Sequence, residues 1–534
     1  MCRHPKQKKN TLRVQILSLL ARPISVLGKI LFHRVGIISG LLLLQMVSYV
    51  MAFAFFRSSV LYDRIYWLLV FLSWALIIWI IGGRSDPGYQ MGWIMVVMLL
   101  MPFGVVAYGL LGGNRLSHCH QKRLWQAGLQ IRSQLGVLCD RAGTLVETVG
   151  EDGVCMARYL EKAAFCPVFS GTSVQYYSTG ELFHPALLDT LRGAREYIFL
   201  EYFIIEPGIL WDSILEILKQ KAAEGVEVRI LYDDVGTAFR LPWSYPATLE
   251  GFGIHCRVFN RMVPILSLRQ NNRDHRKYAI ADGKIAFTGG INLADEYINV
   301  NSRFGHWKDS VIRLEGEAVC SMTVSFLAMW SLVGGEQWSA VDYCPAPPES
   351  VASGYVQPYH DCPWDDKPVG QVVYLHLIHR AKRYVYITTP YLILDHALNR
   401  ALMTAAESGV DVRIITPHIP DKKWVFEVTR SYYGELLRAG VRIFEYEPGF
   451  IHGKNMVADD LFGVVGTVNL DYRSMFLHFE NGVVLYGKQL TAAVKEDFLN
   501  TQAKSLEILQ AEWDQRDPIR RIFGKILRLF APLM

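Results

Sequence analysis

The sequence is short of the features that mark a metalloprotein or a disulfide-built protein. Its nine cysteines include no C-x-x-C pair and no Cys/His cluster with zinc spacing. Cys119, between His118 and His120, is a poor ligand set on its own. Scattered cysteines in odd number predict reduced thiols, which favours a catalytic part on the cytoplasmic side. Charge of one sign is also scarce. The 55 Lys and Arg against 50 Asp and Glu leave a net charge of +5 over 534 residues, too little to point to a nucleic-acid partner. The first 34 residues contain no Asp or Glu but eight Lys or Arg, a lead too long for a cleaved signal peptide.

What is abundant is apolar sequence, 51% of the chain, with the excess near the N-terminus. Three uncharged runs, 35–56, 65–83 and 89–114, are each long enough to cross a bilayer as a helix. They predict an uncleaved membrane anchor over 35–115, with the basic segment 1–34 before it. Basic residues flank the set on both sides, which three spans would place on opposite faces of the membrane. A multi-pass protein of the cell membrane is expected, with its catalytic part in the cytoplasm.

Beyond the anchor the chain repeats itself. Residues 275–292 read H-R-K-Y-A-I-A-D-G-K-I-A-F-T-G-G-I-N, and residues 452–469 read H-G-K-N-M-V-A-D-D-L-F-G-V-V-G-T-V-N. Both copies hold His, Lys, Asp and Asn at matched spacings: His275, Lys277, Asp282 and Asn292, then His452, Lys454, Asp459 and Asn469. Alternation along an extended segment puts His275 and Lys277 on one face and turns Arg276 away. Asp282-Gly283 marks a tight turn between two strands. Gly289-Gly290 is expected to let the backbone approach a ligand.

Further echoes support a duplicated α/β unit. Residues 194–199 answer 381–386, 225–230 answer 409–414, and 253–259 answer 440–444. The expected order is a linker region at 116–170, a first lobe at 171–335, a second linker at 336–367 and a second lobe at 368–515. Residues 516–534 put Ile519, Ile522, Phe523, Ile526, Leu527 and Phe530 at helical spacing beside Arg520, Arg521, Lys525 and Arg528. That pattern fits a helix docked on its own domain and equally a helix lying on an anionic membrane.

The doubled H-x-K-x4-D set resembles the phospholipase D superfamily. The wording N-N-R-D-H-R-K (271–277), T-G-G-I-N-L-A-D-E-Y (288–297) and G-T-V-N-L-D-Y-R-S (466–474) is similar to the bacterial cardiolipin synthases. The resemblance implies two pseudo-symmetric phospholipase D-like lobes, each an α/β/α sandwich, with the site between them. It implies no metal and no cofactor, and phosphatidylglycerol in an anionic membrane as partner. His275 would be the nucleophile, forming a phosphohistidine, and His452 the acid/base. Lys277 and Lys454 would balance the phosphate charge, with Asn292 and Asn469 as neutral donors. A carboxylate downstream would orient each histidine: Asp309 for His275 and Glu480 for His452. Asp282 and Asp459 would bridge the lobes or brace the lysines. The expected activity is transfer of a phosphatidyl group between two phosphatidylglycerol molecules; hydrolysis, or transfer to another alcohol, is the alternative.

Overall fold

The computed structural model describes residues 60–83, 87–101, 103–111, 118–139, 141–262, 271–345, 354–365 and 367–533, together with Val47 and Met51. The run at 35–56 therefore lies almost entirely outside the described residues. The second run coincides with the helix Val60–Ile81, of which Tyr62–Ile81 is long and apolar enough to cross a membrane. The third run departs from the expected single span: it forms two shorter helices, Pro87–Leu99 and Gly104–Leu111. At about 1.5 Å per residue neither reaches across a ~30 Å hydrocarbon core alone. Pro102 falls in the sequence between them, and proline disfavours an unbroken helix. The three helices pack on one another, with Tyr108 set edge-on to Trp93 and Trp79 at 5.1 and 6.1 Å.

The remainder is built on two sheets. Strands β1 (Thr172–Tyr177), β2 (Tyr197–Tyr202), β3 (Glu227–Asp233), β4 (His255–Phe259), β6 (Tyr278–Ala281), β7 (Ile285–Gly289) and β8 (Val311–Gly316) make the first. Their order is β1-β8-β7-β6-β2-β3-β4. The second uses β9 (Tyr355–Asp361), β10 (Tyr384–Thr388), β11 (Asp411–Pro417), β12 (Arg442–Tyr446), β13 (Asn455–Ala458), β14 (Phe462–Gly466), β15 (His478–Tyr486) and β16 (Ser505–Ile508). Strands β2, β3 and β4 run parallel, as do β10, β11 and β12, and each set joins an antiparallel trio carrying the motif. The seven strands of the first sheet each have a counterpart in the second, β1 beside β8 matching β9 beside β15, and the second sheet adds β16 beyond β12. Strands β2 and β10 are buried along their whole length, as strands covered on both faces must be.

Two stretches expected to be linkers are packed structure instead. Residues 118–164 carry the helices His118–Leu135 and Val146–Ala164, and Leu145, Val154, Ala157 and Leu160 of that region are fully buried. The second stretch contributes β9, an interior partner of β15. It also supplies Cys344, joined to Cys320 by a disulfide. The expectation that all the cysteines are free thiols is therefore corrected, and with it goes the support that free thiols lent to a cytoplasmic catalytic part.

The lobes share one core. Phe199, Tyr278, Ile280 and Leu314 from the first sheet meet Tyr384, Val457, Val465 and Val483 from the second in a single apolar cluster. Strand β5 (Arg273–Asp274), next to the first motif, leaves its own sheet and pairs with His478 and Phe479 of β15.

Candidate active site

The two motif histidines are held by the opposite lobe. The backbone N–H of His275 donates to the carbonyl of Phe479 at 2.9 Å, and that of His452 donates to the carbonyl of Lys308 at 2.7 Å. The side chains repeat the exchange. Nδ1 of His275 lies 2.9 and 3.0 Å from the two carboxylate oxygens of Glu480. Nδ1 of His452 lies 2.6 Å from Asp309 Oδ2. The expected pairing of Asp309 with His275 and Glu480 with His452 is thus reversed. Strand spacing gives the reason. β7 separates β6 from β8, so the start of β8 stands about two strand spacings, roughly 9.6 Å, from its own motif. Across the lobe interface the separation is one hydrogen bond.

Each carboxylate is fixed in turn. Thr467 donates its hydroxyl to Glu480 Oε2, and the backbone N–H of Ser310 donates to Asp309 Oδ1 at 2.8 Å. A Cβ at Gly290 would fall 2.1 Å from Asp309 Oδ1. The glycine pair thus makes room for the carboxylate strand, rather than for a ligand as the sequence led us to expect.

Electrostatics in this interior are dominated by burial. Lys277 and Lys454 are buried, donate to the carbonyls of His275 and His452 two residues away, and have pKa values brought down to about 8 and about 7. His452 is lowered to about 4 by burial and by Lys454, against the pull of Asp309, and His275 is pushed well below its usual value by burial and by Lys277. Burial raises the Asp309 carboxyl, but Lys454 and His452 more than offset it and hold it below the ordinary value. The site is therefore two neutral imidazoles beside two lysines and two carboxylates, cationic and anionic groups in equal number. A phosphodiester between the histidines would favour protonation of His452.

Several expected site residues do other work. Arg276 points away, as alternation requires, and ion-pairs with Glu201 at 2.5 Å and Asp274 at 3.2 Å. Asp282 accepts from the backbone N–H groups of Arg195, Glu196 and Tyr197, and Asp459 from those of Lys382, Arg383 and Tyr384. Both sit at left-handed turns at the strand end remote from the histidine, φ 52° and 56°. They tie the hairpin to β2 and β10 within one lobe, and neither bridges lobes nor braces a lysine. Asn292 accepts from the backbone N–H of Ile204 at 3.1 Å and donates its amide N–H to the hydroxyl of Tyr297 at 2.7 Å. Asn469 keeps a buried carbonyl oxygen with no hydrogen-bond partner, so the two asparagines are not equivalent. Aromatic rings close on the histidines. Phe203 is 5.2 Å from His275, and Tyr297, Trp307 and Phe450 are 5.4 to 5.8 Å from His452. Tyr297, Trp307 and His478 were missed in the sequence, although register in the repeat sets His478 and Trp307 two residues before each carboxylate.

Residues 187–330 and 374–501 match the family described as "Cardiolipin synthase, PLD-like domain". Cardiolipin synthase 2 of Bacillus anthracis is 34% identical over 84% of this chain and 88% of its own length. The chain belongs to this family. Cardiolipin synthase of Staphylococcus aureus is 32% identical, covering 84% of this chain and 92% of that protein. An uncharacterized protein of Streptococcus mutans is 45% identical over 71% of this chain and 82% of its own length. Among solved structures, the phosphatidylserine synthase of Haemophilus influenzae superposes with TM-score 0.53 at 15% identity, covering 68% of this chain and 95% of its own, a likeness of fold.

Proposed function

We propose that the protein is a membrane-anchored cardiolipin synthase that moves a phosphatidyl group from one phosphatidylglycerol to another. The observation that carries this reading is the pair of buried histidines, each braced by a carboxylate of the opposite lobe and flanked by a buried lysine, in a chain of the cardiolipin synthase family. His275, with Glu480 fixing the proton on Nδ1, presents Nε2 to phosphorus. Its attack breaks the phosphorus–oxygen bond to glycerol, which leaves with a proton from His452. A hydroxyl of the second phosphatidylglycerol then gives its proton to His452 and attacks the phosphohistidine. Cardiolipin forms and His275 is freed. Lys277 and Lys454 neutralise the oxygens that gain charge in both steps.

A hydrolase would run the first step identically, so the acceptor decides the name. Membrane helices would hold the site beside a concentrated lipid supply, and the acceptor outcompetes water where the site also excludes water and positions the second lipid. In phosphatidylglycerol vesicles, mass spectrometry is expected to find cardiolipin as the main product, one glycerol released for every two phosphatidylglycerols consumed, and little phosphatidic acid. Phosphatidic acid as main product would make the enzyme a phospholipase D; a new headgroup seen only when its alcohol is added would make it a different phosphatidyltransferase.

The C-terminal helix supports the lipid partner. Pro518–Arg528 docks along the helix Lys423–Arg438 by one edge, through buried Gly524, the Arg528–Glu435 ion pair at 2.6 Å, and Arg528 stacked over Tyr432. Its other edge leaves Ile519 76% and Ile522 60% exposed, and Phe523 lies 5.6 Å from the ring of exposed Trp424. The turn Ala531–Leu533 that follows packs on the membrane-side helix Pro87–Leu99. The docked and membrane-facing readings are therefore compatible. Arg520, Arg521 and Lys525 are exposed on this helix, and at about 1 kcal/mol per basic residue near an anionic surface they support strong preference for such membranes. Removing residues 516–534 from a body lacking the apolar helices is expected to weaken binding to anionic vesicles by about a hundredfold and to neutral ones far less. Equal loss on both vesicle types would leave the helix as a docked element only.

A further inference from the structure

Alternation along β15 places His478 and Glu480 on one face and Phe479 on the other, where Phe479 packs on Trp364 at 4.8 Å and Phe259 at 5.4 Å. His478 consequently shares the face on which Glu480 meets His275. Its ring centroid is 5.5 Å from that of His275, and its Nδ1 is 3.7 Å from Glu480 Oε1, beyond hydrogen-bond distance. Both ring nitrogens are buried without a hydrogen-bond partner, and the side chain is 10% exposed. Burial brings the ring down to about 4 against the pull of the nearby Glu480 carboxylate, so it is neutral and carries one donor and one acceptor. The first lobe holds Trp307 in the same register, and its indole N–H also lacks a partner. Buried polar groups left open in this way call for a ligand.

We propose that His478 is a substrate-binding residue on the nucleophile's side of the cleft, its ring N–H donating to a phosphoryl oxygen of the group transferred to His275. That the group is phosphatidyl rests on the function proposed above; that it is an anionic phosphoryl oxygen rests on the neighbouring chemistry. His275, His478 and Glu480 also offer ligand atoms all within 4.8 Å of one another, as a metal site would. Buried Lys277 and Lys454 beside them offset the Glu480 and Asp309 carboxylates, so a dication would find no surplus of negative charge there. A neutral ring suits the position, since a second positive charge next to His275 would depress its basicity further.

The test compares full-length wild type with His478→Phe, which keeps a ring without polar atoms, and His478→Asn, which keeps a donor. Two readouts are needed: inorganic phosphate binding by calorimetry, and kcat/KM for glycerol release from phosphatidylglycerol. His478→Phe is expected to lose about ten- to a hundredfold in both, and His478→Asn to stay within about fivefold of wild type with an unchanged pH profile. Phosphate binding within twofold of wild type in His478→Phe would overturn the proposal. So would an asparagine variant as damaged as the phenylalanine one, or Zn²⁺ binding that needs His478 and excludes phosphate. A wild type that binds phosphate through His478 but releases no glycerol would sink the transferase reading and leave this one standing.

Discussion

Alanine at either His275 or His452 is expected to stop turnover, a fall of at least about 10⁴-fold. The histidines are alike in motif, yet their surroundings are not interchangeable. His275 sits against Phe203 and the imidazole of His478, whereas His452 is enclosed by Tyr297, Trp307 and Phe450. Neither can cover for the other, because one must bond to phosphorus while the other carries the alcohol's proton on the opposite side. A phosphatidyl donor with an acidic leaving group separates the roles. Such a group departs without a proton, so this donor is expected to restore its own cleavage in His452→Ala and not in His275→Ala. Rescue of both variants alike would refute the division of labour, and near-normal cardiolipin formation by either would refute the site.

Glu480→Gln and Asp309→Asn are expected to lose about 10²- to 10⁴-fold, as when a histidine keeps its place but loses the carboxylate that sets its tautomer. The crossed geometry makes the pattern diagnostic. Glu480 serves His275, so Glu480→Gln should behave as a nucleophile defect and resist rescue by the acidic leaving group. Asp309 serves His452, so Asp309→Asn should be rescued. Assignment by order along the chain predicts the reverse. Circular dichroism and thermal unfolding in the same membrane mimetic would check that the variants keep their fold.

Much of this is legible in the amino-acid sequence alone. The period-two pattern turned Arg276 from the site, and the doubled spacing located both histidines, both lysines and the strands that carry them. Both carboxylates were also named, each matched to the wrong histidine. Sequence proximity favours a partner in the same lobe, and only sheet order shows that β7 intervenes. Asp282 and Asp459 were misjudged for a related reason. The backbone N–H groups that each turn aspartate accepts from lie 75 to 87 residues earlier in the chain, at the start of the neighbouring strand, and motif membership does not distinguish that from a site role. The helix Val146–Ala164 read as linker because its buried residues are interleaved with Glu, Lys and Arg. The split in the apolar run at 89–114 was signalled by Pro102 but outweighed by length.

The crossed dyads have a consequence for the order in which the enzyme comes into being. Each closes a long loop of chain: 205 residues separate His275 from Glu480, and 143 separate Asp309 from His452. Contacts of such separation form late, since chain closure must precede any gain from them. While the second lobe is still being synthesised, the first holds His275 without Glu480 and Asp309 without His452. On the function proposed above, a half-made chain would meet lipids it cannot cleave, and competence would arrive only once β15 is in place.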